Sequence, residues 1–149
     1  MRKSKIAMAV AALALSGTAA LAQAGKAAGG KAEDGEQVFK KCMSCHRIGP
    51  EAKNLVGPNL TAVIGRQAGT AEGFQYSEIN KNAGKNGLVW TPELIFDYLE
   101  DPTPFLKKFL TDKGKDDLAS GATKMVFKLP DEQDRKDVIA YVQSFSPPK

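Results

Sequence analysis

Apolar residues recur at helical spacing in several short stretches of the chain, and polar and apolar residues nowhere alternate convincingly along a strand. The clearest stretch begins at Thr91-Pro92, which has the pattern of a helix cap followed by proline at the first helical position. It ends at Asp101-Pro102, and its apolar face is predicted to comprise Leu94, Ile95, Tyr98 and Leu99.

Four more helices are predicted from the same spacing. They cover residues 33–41, residues 77–82 before Gly84 and Gly87, residues 105–110, and the stretch after Pro130. Residues 49–73 and 113–121 have the composition of loops. We therefore expect an all-α fold of about four to five short helices and no sheet.

The N-terminus has the pattern of an export signal. Arg2, Lys3 and Lys5 precede an apolar run, and Ala20-Leu21-Ala22 is typical of a signal peptidase site. The apolar run is shorter than the ~20 residues that a membrane-spanning helix needs, so we expect cleavage and no stable membrane anchor. The predicted organisation is a signal peptide at 1–22, a flexible leader at 23–32 and one exported domain at 33–149.

Export changes the charge of the chain. The full sequence has a formal net charge of +4, and three of its positive charges precede the predicted cleavage site, which leaves the mature chain near +1. Such a charge does not indicate nucleic-acid binding, and any functional basic surface has to be local.

Cys42-Met43-Ser44-Cys45-His46 is the motif with the clearest chemistry. Two thiols about one helical turn apart can add to the two vinyl groups of one haem, and the next residue can then offer an imidazole nitrogen to the iron. A zinc site would need a fourth ligand and a less crowded arrangement, and a thioredoxin-like pair would need a βαβ context. The motif therefore predicts one covalently attached haem c, bound through Cys42 and Cys45 with His46 as an axial ligand.

The second axial ligand follows from counting. His46 is the only histidine, and the chain has four methionines. Met1 and Met8 lie in the signal peptide, and Met43 stands between the two cysteines. Met125 remains; a methionine at such a position is more commonly a core residue, but elimination makes it the predicted iron ligand. Histidine–methionine ligation favours an electron carrier over an oxygen-activating enzyme.

The motifs together resemble those of class I c-type cytochromes, most closely the bacterial periplasmic cytochrome c-two type, which is related to mitochondrial cytochrome c. The resemblance extends from Asp34 to Phe145. Besides the haem motif it rests on Gly57-Pro58-Asn59-Leu60, Gly65-Arg66, Gly73-Phe74-Gln75-Tyr76, Asn80, Trp90, Tyr98-Leu99-Glu100-Asp101-Pro102, Thr123-Lys124-Met125 and residues 135–141.

This resemblance implies the class I cytochrome c fold and further roles in the haem pocket. The Pro58 carbonyl would accept the other ring N–H of His46. Tyr98 would reach the Met125 sulfur, and Gly35, Phe39 and Tyr141 would form a crossing of the first and last helices. Propionate contacts are implied for Arg66, Tyr76 and Trp90, and an internal water network for Asn80 and Thr123.

Three departures from the family pattern stand out. Ala62 occupies a position where relatives usually have glycine, and Thr103 one where mitochondrial relatives have lysine. The segment 104–121 is longer than in mitochondrial relatives.

The expected function is one-electron transport in the periplasm, from a cytochrome bc-type complex or a dehydrogenase to a terminal oxidase, a photosynthetic reaction centre or a reductase. Acidic redox partners would dock transiently on a monomer, at a haem edge ringed by Lys40, Lys41, Lys124 and Lys128. Lys107, Lys108, Lys113 and Lys115 are further candidates for that ring. The alternative is a haem enzyme or ligand-binding sensor with an open sixth position.

Overall fold

A computed structural model describes residues 25–147, so the predicted signal peptide lies outside the described residues. Five α-helices follow in the order α1 Ala32–Phe39, α2 Glu78–Lys85, α3 Pro92–Glu100, α4 Pro102–Asp112 and α5 Glu132–Gln143, with a 3₁₀ turn at Asp116–Leu118. Within 25–147, β pairing is limited to one isolated bridge between Gln67 and Val89. The all-α prediction is confirmed. None of these helices is long and apolar enough to cross a membrane.

Helices α3 and α4 meet at Asp101-Pro102. Thr91 caps α3, because its hydroxyl oxygen accepts a hydrogen bond from the Leu94 amide at 3.2 Å. Pro102 ends α3 as predicted, but it also occupies the first position of α4. The predicted helix over 105–110 is therefore too short, because the proline that terminates one helix initiates the next.

Helix α2 continues through Gly84, which was predicted to end it, and stops only before Gly87, whose φ is +94°. Glycine is required inside the helix for a different reason. A Cβ atom on Gly84 would lie 1.9 Å from the Ala68 carbonyl oxygen. Gly84 thus lets the preceding loop pack directly against α2.

The first and last helices cross at close range, as the family resemblance implies. A Cβ on Gly35 would lie 2.0 Å from the Asp137 carbonyl oxygen, so the two backbones are almost in contact. Phe39 packs beside Tyr141, with their ring centroids 5.3 Å apart. This crossing fixes the direction in which α1 leads into residues 40–46.

The described part of the predicted leader makes specific contacts. Ala27 is buried, and Lys26 pairs with Asp97 on α3 at 2.5 Å. The Lys31 amide donates to the buried Asp137 carboxylate at 2.8 Å, so a side chain of α5 anchors the start of α1. Helix α1 begins at Ala32, one residue before the predicted domain boundary.

Ala62 has a φ of +56° and is the only described non-glycine residue with a positive φ. The left-handed conformation costs an L-residue roughly 1–2 kcal/mol, a strain that the glycine expected from the family resemblance would avoid. Its amide donates to the Phe145 carbonyl at 3.0 Å, so the turn is tied to the backbone just after α5.

We expect Ala62→Gly to stabilise the protein. Relief of the strained φ outweighs the roughly 0.5–1 kcal/mol that glycine costs in chain entropy, for a net gain of about 0.5–1 kcal/mol. Urea unfolding of the haem-loaded protein measures this gain. Ala52→Gly, at a loop position whose own φ is not positive, is the control and should lose about 0.5 kcal/mol. Equal losses in both variants would contradict the interpretation of Ala62.

Candidate functional site

Residues 40–46 form tight turns that extend directly from α1. The amides of Cys45 and His46 both donate to the Cys42 carbonyl, at 3.0 and 2.9 Å. This conformation brings Cys42, Cys45 and His46 to the wall of one cavity of about 290 Å³ with a largely apolar lining. The two cysteines are not joined by a disulfide.

His46 is buried and held from one side. Its Nδ1 lies 2.7 Å from the Pro58 carbonyl oxygen, and this contact leaves Nε2 for a ligand in the cavity. A Cβ on Gly57 would lie 2.5 Å from Cε1 of the imidazole, so only glycine fits behind the ring. Burial lowers the pKa of His46, while Pro58 acts in the opposite direction and Arg66 adds to the lowering. The site therefore favours the neutral imidazole that binds a metal.

The cysteine environment suits an uncharged sulfur. Burial raises the pKa of the Cys42 thiol to about 11, although Lys41 partly opposes this. A thioether carries no charge at any pH, so covalent attachment there incurs no cost for burying a thiolate. Within the described residues, no group of three or more histidine, cysteine or acidic side chains could hold a metal ion, so the zinc alternative lacks a ligand set there.

A cation lies at another part of the cavity wall. Arg66 is partly buried and donates to the Asn59 carbonyl at 2.9 Å and, more weakly, to that of Thr61 at 3.5 Å. Burial lowers the pKa of Arg66, whereas the neighbouring Tyr76 raises it; burial also raises the pKa of Tyr76. A guanidinium beside a phenol at the rim of an apolar cavity suits the carboxylates of a haem.

The segment that contains Met125 is held by hydroxyl groups. The Tyr98 hydroxyl lies 3.3 Å from the Thr123 hydroxyl, which also accepts a hydrogen bond from the Met125 amide at 3.3 Å. The Thr123 amide in turn donates to Thr103 Oγ1 at 3.3 Å, so the threonine that departs from the mitochondrial pattern supports this segment. Burial raises the pKa of Tyr98, which keeps its hydroxyl protonated.

The remaining predicted residues also reach the cavity. Asn80 is buried and accepts a hydrogen bond from the Ser77 hydroxyl at 2.8 Å. The Trp90 ring packs beside Tyr98, with centroids 4.9 Å apart. Every residue predicted for the site lines this one cavity: Cys42, Cys45, His46, Pro58, Arg66, Tyr76, Asn80, Trp90, Tyr98, Thr123 and Met125. Their individual roles toward a haem stay predictions.

Sequence reasoning missed several residues of the cavity wall. Val56, Val126 and Phe127 line its mouth although they are substantially exposed, at 75%, 86% and 38% of their surface. Their only signal in the sequence was an apolar side chain one or two positions from Pro58 or Met125, in a stretch without predicted helix.

Comparisons with known proteins agree with this geometry. The family model for cytochrome c matches residues 32–146. Cytochrome c2 iso-2 of Rhodospirillum centenum is 69% identical over 113 residues, which cover 76% of this chain and 93% of that protein. The solved structure of cytochrome c2 from the same organism has a TM-score of 0.79 and 67% identity, covering 79% of this chain and all (100%) of that one. Ferricytochrome c2 of Rhodopseudomonas palustris has a TM-score of 0.74 at 59% identity, covering 78% and 99%.

The chain belongs to the cytochrome c family, in its class I fold and of the c2 type. It is an electron-transport protein with a covalently bound haem c, and Cys42 and Cys45 are the only two cysteines in its sequence. The paired thiols, the oriented imidazole and the apolar cavity fit a haem c.

Proposed function

We propose that the chain is a periplasmic one-electron carrier whose haem is attached through Cys42 and Cys45 and ligated by His46 and Met125. The observation that carries the proposal is that the sole histidine and Met125 line the same cavity. Met43, the other methionine of the described segment, does not line the cavity and is 46% exposed. The ligand count from the sequence and the geometry thus favour the same methionine.

The haem, when bound, supplies an iron that gains and loses one electron. The protein holds its ligands still: Pro58 and Gly57 fix the imidazole, and Thr123 fixes the backbone at Met125. Ligands that do not move between the two oxidation states minimise reorganisation during transfer. The apolar cavity wall excludes water, which together with methionine ligation raises the reduction potential.

The mouth of the cavity supports transient docking of redox partners. Exposed Val56, Val126 and Phe127 supply an apolar centre. Lys41 and Lys124 also line the cavity. Lys124 donates to the Gln75 carbonyl, Lys41 pairs with Asp134 at 2.7 Å, and Lys128 pairs with Asp101 at 2.5 Å. Among the more distant lysines, Lys108 pairs with Asp112 on its own helix at 2.7 Å. We infer a weak, short-lived complex of the monomer with an acidic partner, whether a bc-type complex or dehydrogenase as donor or an oxidase, reaction centre or reductase as acceptor.

Carbon monoxide tests the proposal against an enzyme or sensor with an open sixth position. The haem-loaded protein is reduced and its absorption spectrum is recorded before and after saturation with the gas. Because Met125 occupies the sixth position, we expect the ferrous spectrum to stay unchanged at neutral pH. A rapid spectral shift would overturn the carrier and support the alternative.

A further inference from the structure

Arg135 is a buried cation on α5 that does not line the haem cavity. It is 5% exposed, and its guanidinium carbon lies 4.4 Å from the centroid of the Phe96 ring on α3. Its nearest carboxylate, that of Glu100, is 3.9 Å away on a side chain that is 66% exposed. Among the described residues its buried Nε has no hydrogen-bond partner. A charge is costly to bury, so its contacts should account for its position.

Those contacts are with the backbone that follows Met125. Arg135 Nη1 donates to the Leu129 carbonyl at 2.8 Å and to the Pro130 carbonyl at 2.9 Å. The Leu129 amide donates to the Leu99 carbonyl at the end of α3, also at 2.8 Å. Residue 129 is therefore fixed from both sides, by α3 through its N–H and by α5 through its carbonyl.

The segment that contains Met125 consequently has two anchors. One is Thr123, tied to Tyr98 and Thr103; the other is Leu129, whose side chain is 4% exposed. Between them Val126 is 86% exposed, and the side chains of Lys124 and Lys128 make only surface contacts, with the Gln75 carbonyl and with Asp101. A short segment fixed at both ends samples few conformations, and release of one end multiplies them.

We propose that Arg135 is a positioning residue for Met125, because it holds the C-terminal anchor of the segment 123–129 and so limits dissociation of the sulfur from the iron. The inference rests on the proposed ligation by Met125. Lysine cannot replace arginine here, since its compact ammonium cannot both stack on Phe96 and donate to two adjacent carbonyls.

Imidazole is the probe, since it binds ferric iron whenever the methionine has moved away. The haem-loaded wild type and Arg135→Lys are titrated with imidazole while the sulfur-to-iron absorption band is followed. We expect Arg135→Lys to bind imidazole about tenfold more tightly, equivalent to ~1.4 kcal/mol of easier opening. Lys136→Gln is the charge control, because Lys136 is next to Arg135 in the sequence and pairs with Glu132 on its own helix. Its affinity for imidazole should match that of the wild type.

Val38→Ala on α1 separates local opening from general destabilisation. It removes buried apolar volume from the core, and α1 donates no hydrogen bond to residues 123–129. The two variants are compared at equal loss of unfolding free energy. A larger rise in imidazole affinity in Arg135→Lys than in Val38→Ala supports the proposal. Arg135→Lys within twofold of the wild type, or equal to Val38→Ala, overturns it. A wild type without the sulfur-to-iron band overturns the proposed ligation, and the inference with it.

Hydrogen exchange in the wild type tests whether residue 129 is anchored, and it needs no variant that could fail to fold. The Leu129 amide should exchange at least a hundredfold more slowly than the exposed Val126 amide, because it opens only when its anchor is released. Equal exchange at the two positions would show that residue 129 is not held, and would refute the role of Arg135.

Discussion

Met125→Ala should open the iron to external ligands and remove the function of the protein as a carrier. Alanine provides no ligand, and the sequence contains only one histidine, so no second imidazole can take the place of the sulfur. We expect loss of the sulfur-to-iron band and binding of carbon monoxide by the ferrous protein. The reduction potential should fall by on the order of 0.2 V, within the ~0.8 V range that axial ligands span. Absorption spectra and a redox titration measure these changes.

Met43→Ala is the matched control for this experiment. Met43 stands between the two cysteines but is half-exposed and does not line the cavity, so its removal should leave the spectrum and the potential unchanged. Retention of the sulfur-to-iron band in Met125→Ala, or its loss in Met43→Ala, would show that the ligand has been assigned to the wrong methionine.

Gly35→Ala should destabilise the fold by about 3 kcal/mol, the upper part of the usual range for overpacking. Its new Cβ would lie 2.0 Å from the Asp137 carbonyl oxygen and 2.8 Å from Tyr141 Cβ, and neither neighbour can move without shifting α5. Helix propensity alone predicts the opposite sign, since alanine is favoured over glycine by ~1 kcal/mol inside a helix. The sign of the change in unfolding free energy, measured in urea, therefore distinguishes close crossing from propensity.

Glu36→Ala supplies the comparison for Gly35→Ala. Glu36 is the exposed neighbour of Gly35 on the same helix, so its replacement should change stability by less than ~0.5 kcal/mol. If Gly35→Ala proved as stable as Glu36→Ala, the two helices could not cross as closely as the structure indicates.

The sequence predicted which residues line the cavity better than it predicted the boundaries of the helices. The predictions for the site depend on which residue types the chain contains and how many there are: the haem motif, one histidine and one available methionine. These do not depend on tertiary packing. The limits of α2 and α4 depend on tertiary contacts instead. Gly84 is compatible with a helix end in isolation, but the approach of the Ala68 carbonyl gives it a place inside one. Pro102 is a helix terminator on local grounds, yet it also begins α4.

Phe96 and Arg135 illustrate the remaining gap. Phe96 was not assigned to the apolar face of α3, although it is buried, because its partner is a cation on a helix 39 positions later in the sequence. Arg135 belonged to the family pattern, but nothing in its neighbours along the chain indicates that it is buried against backbone carbonyls. Pairings of this kind depend on the arrangement of α3 and α5, which periodicity does not encode.

Two ion pairs on the proposed docking face affect how a partner would find this protein. Lys41 pairs with Asp134 and Lys128 pairs with Asp101, so two of the positive charges are neutralised by neighbouring carboxylates. To an approaching partner, each pair is a small dipole rather than a free charge. The field of a dipole decays faster with distance than that of a free charge, so these two pairs contribute little to the long-range orientation of an approaching partner. On the proposed docking face, successful transfer then depends on frequent brief collisions at Val56, Val126 and Phe127 rather than on capture from afar. Such a surface favours rapid release, which suits a carrier that must leave one partner before it can serve the next.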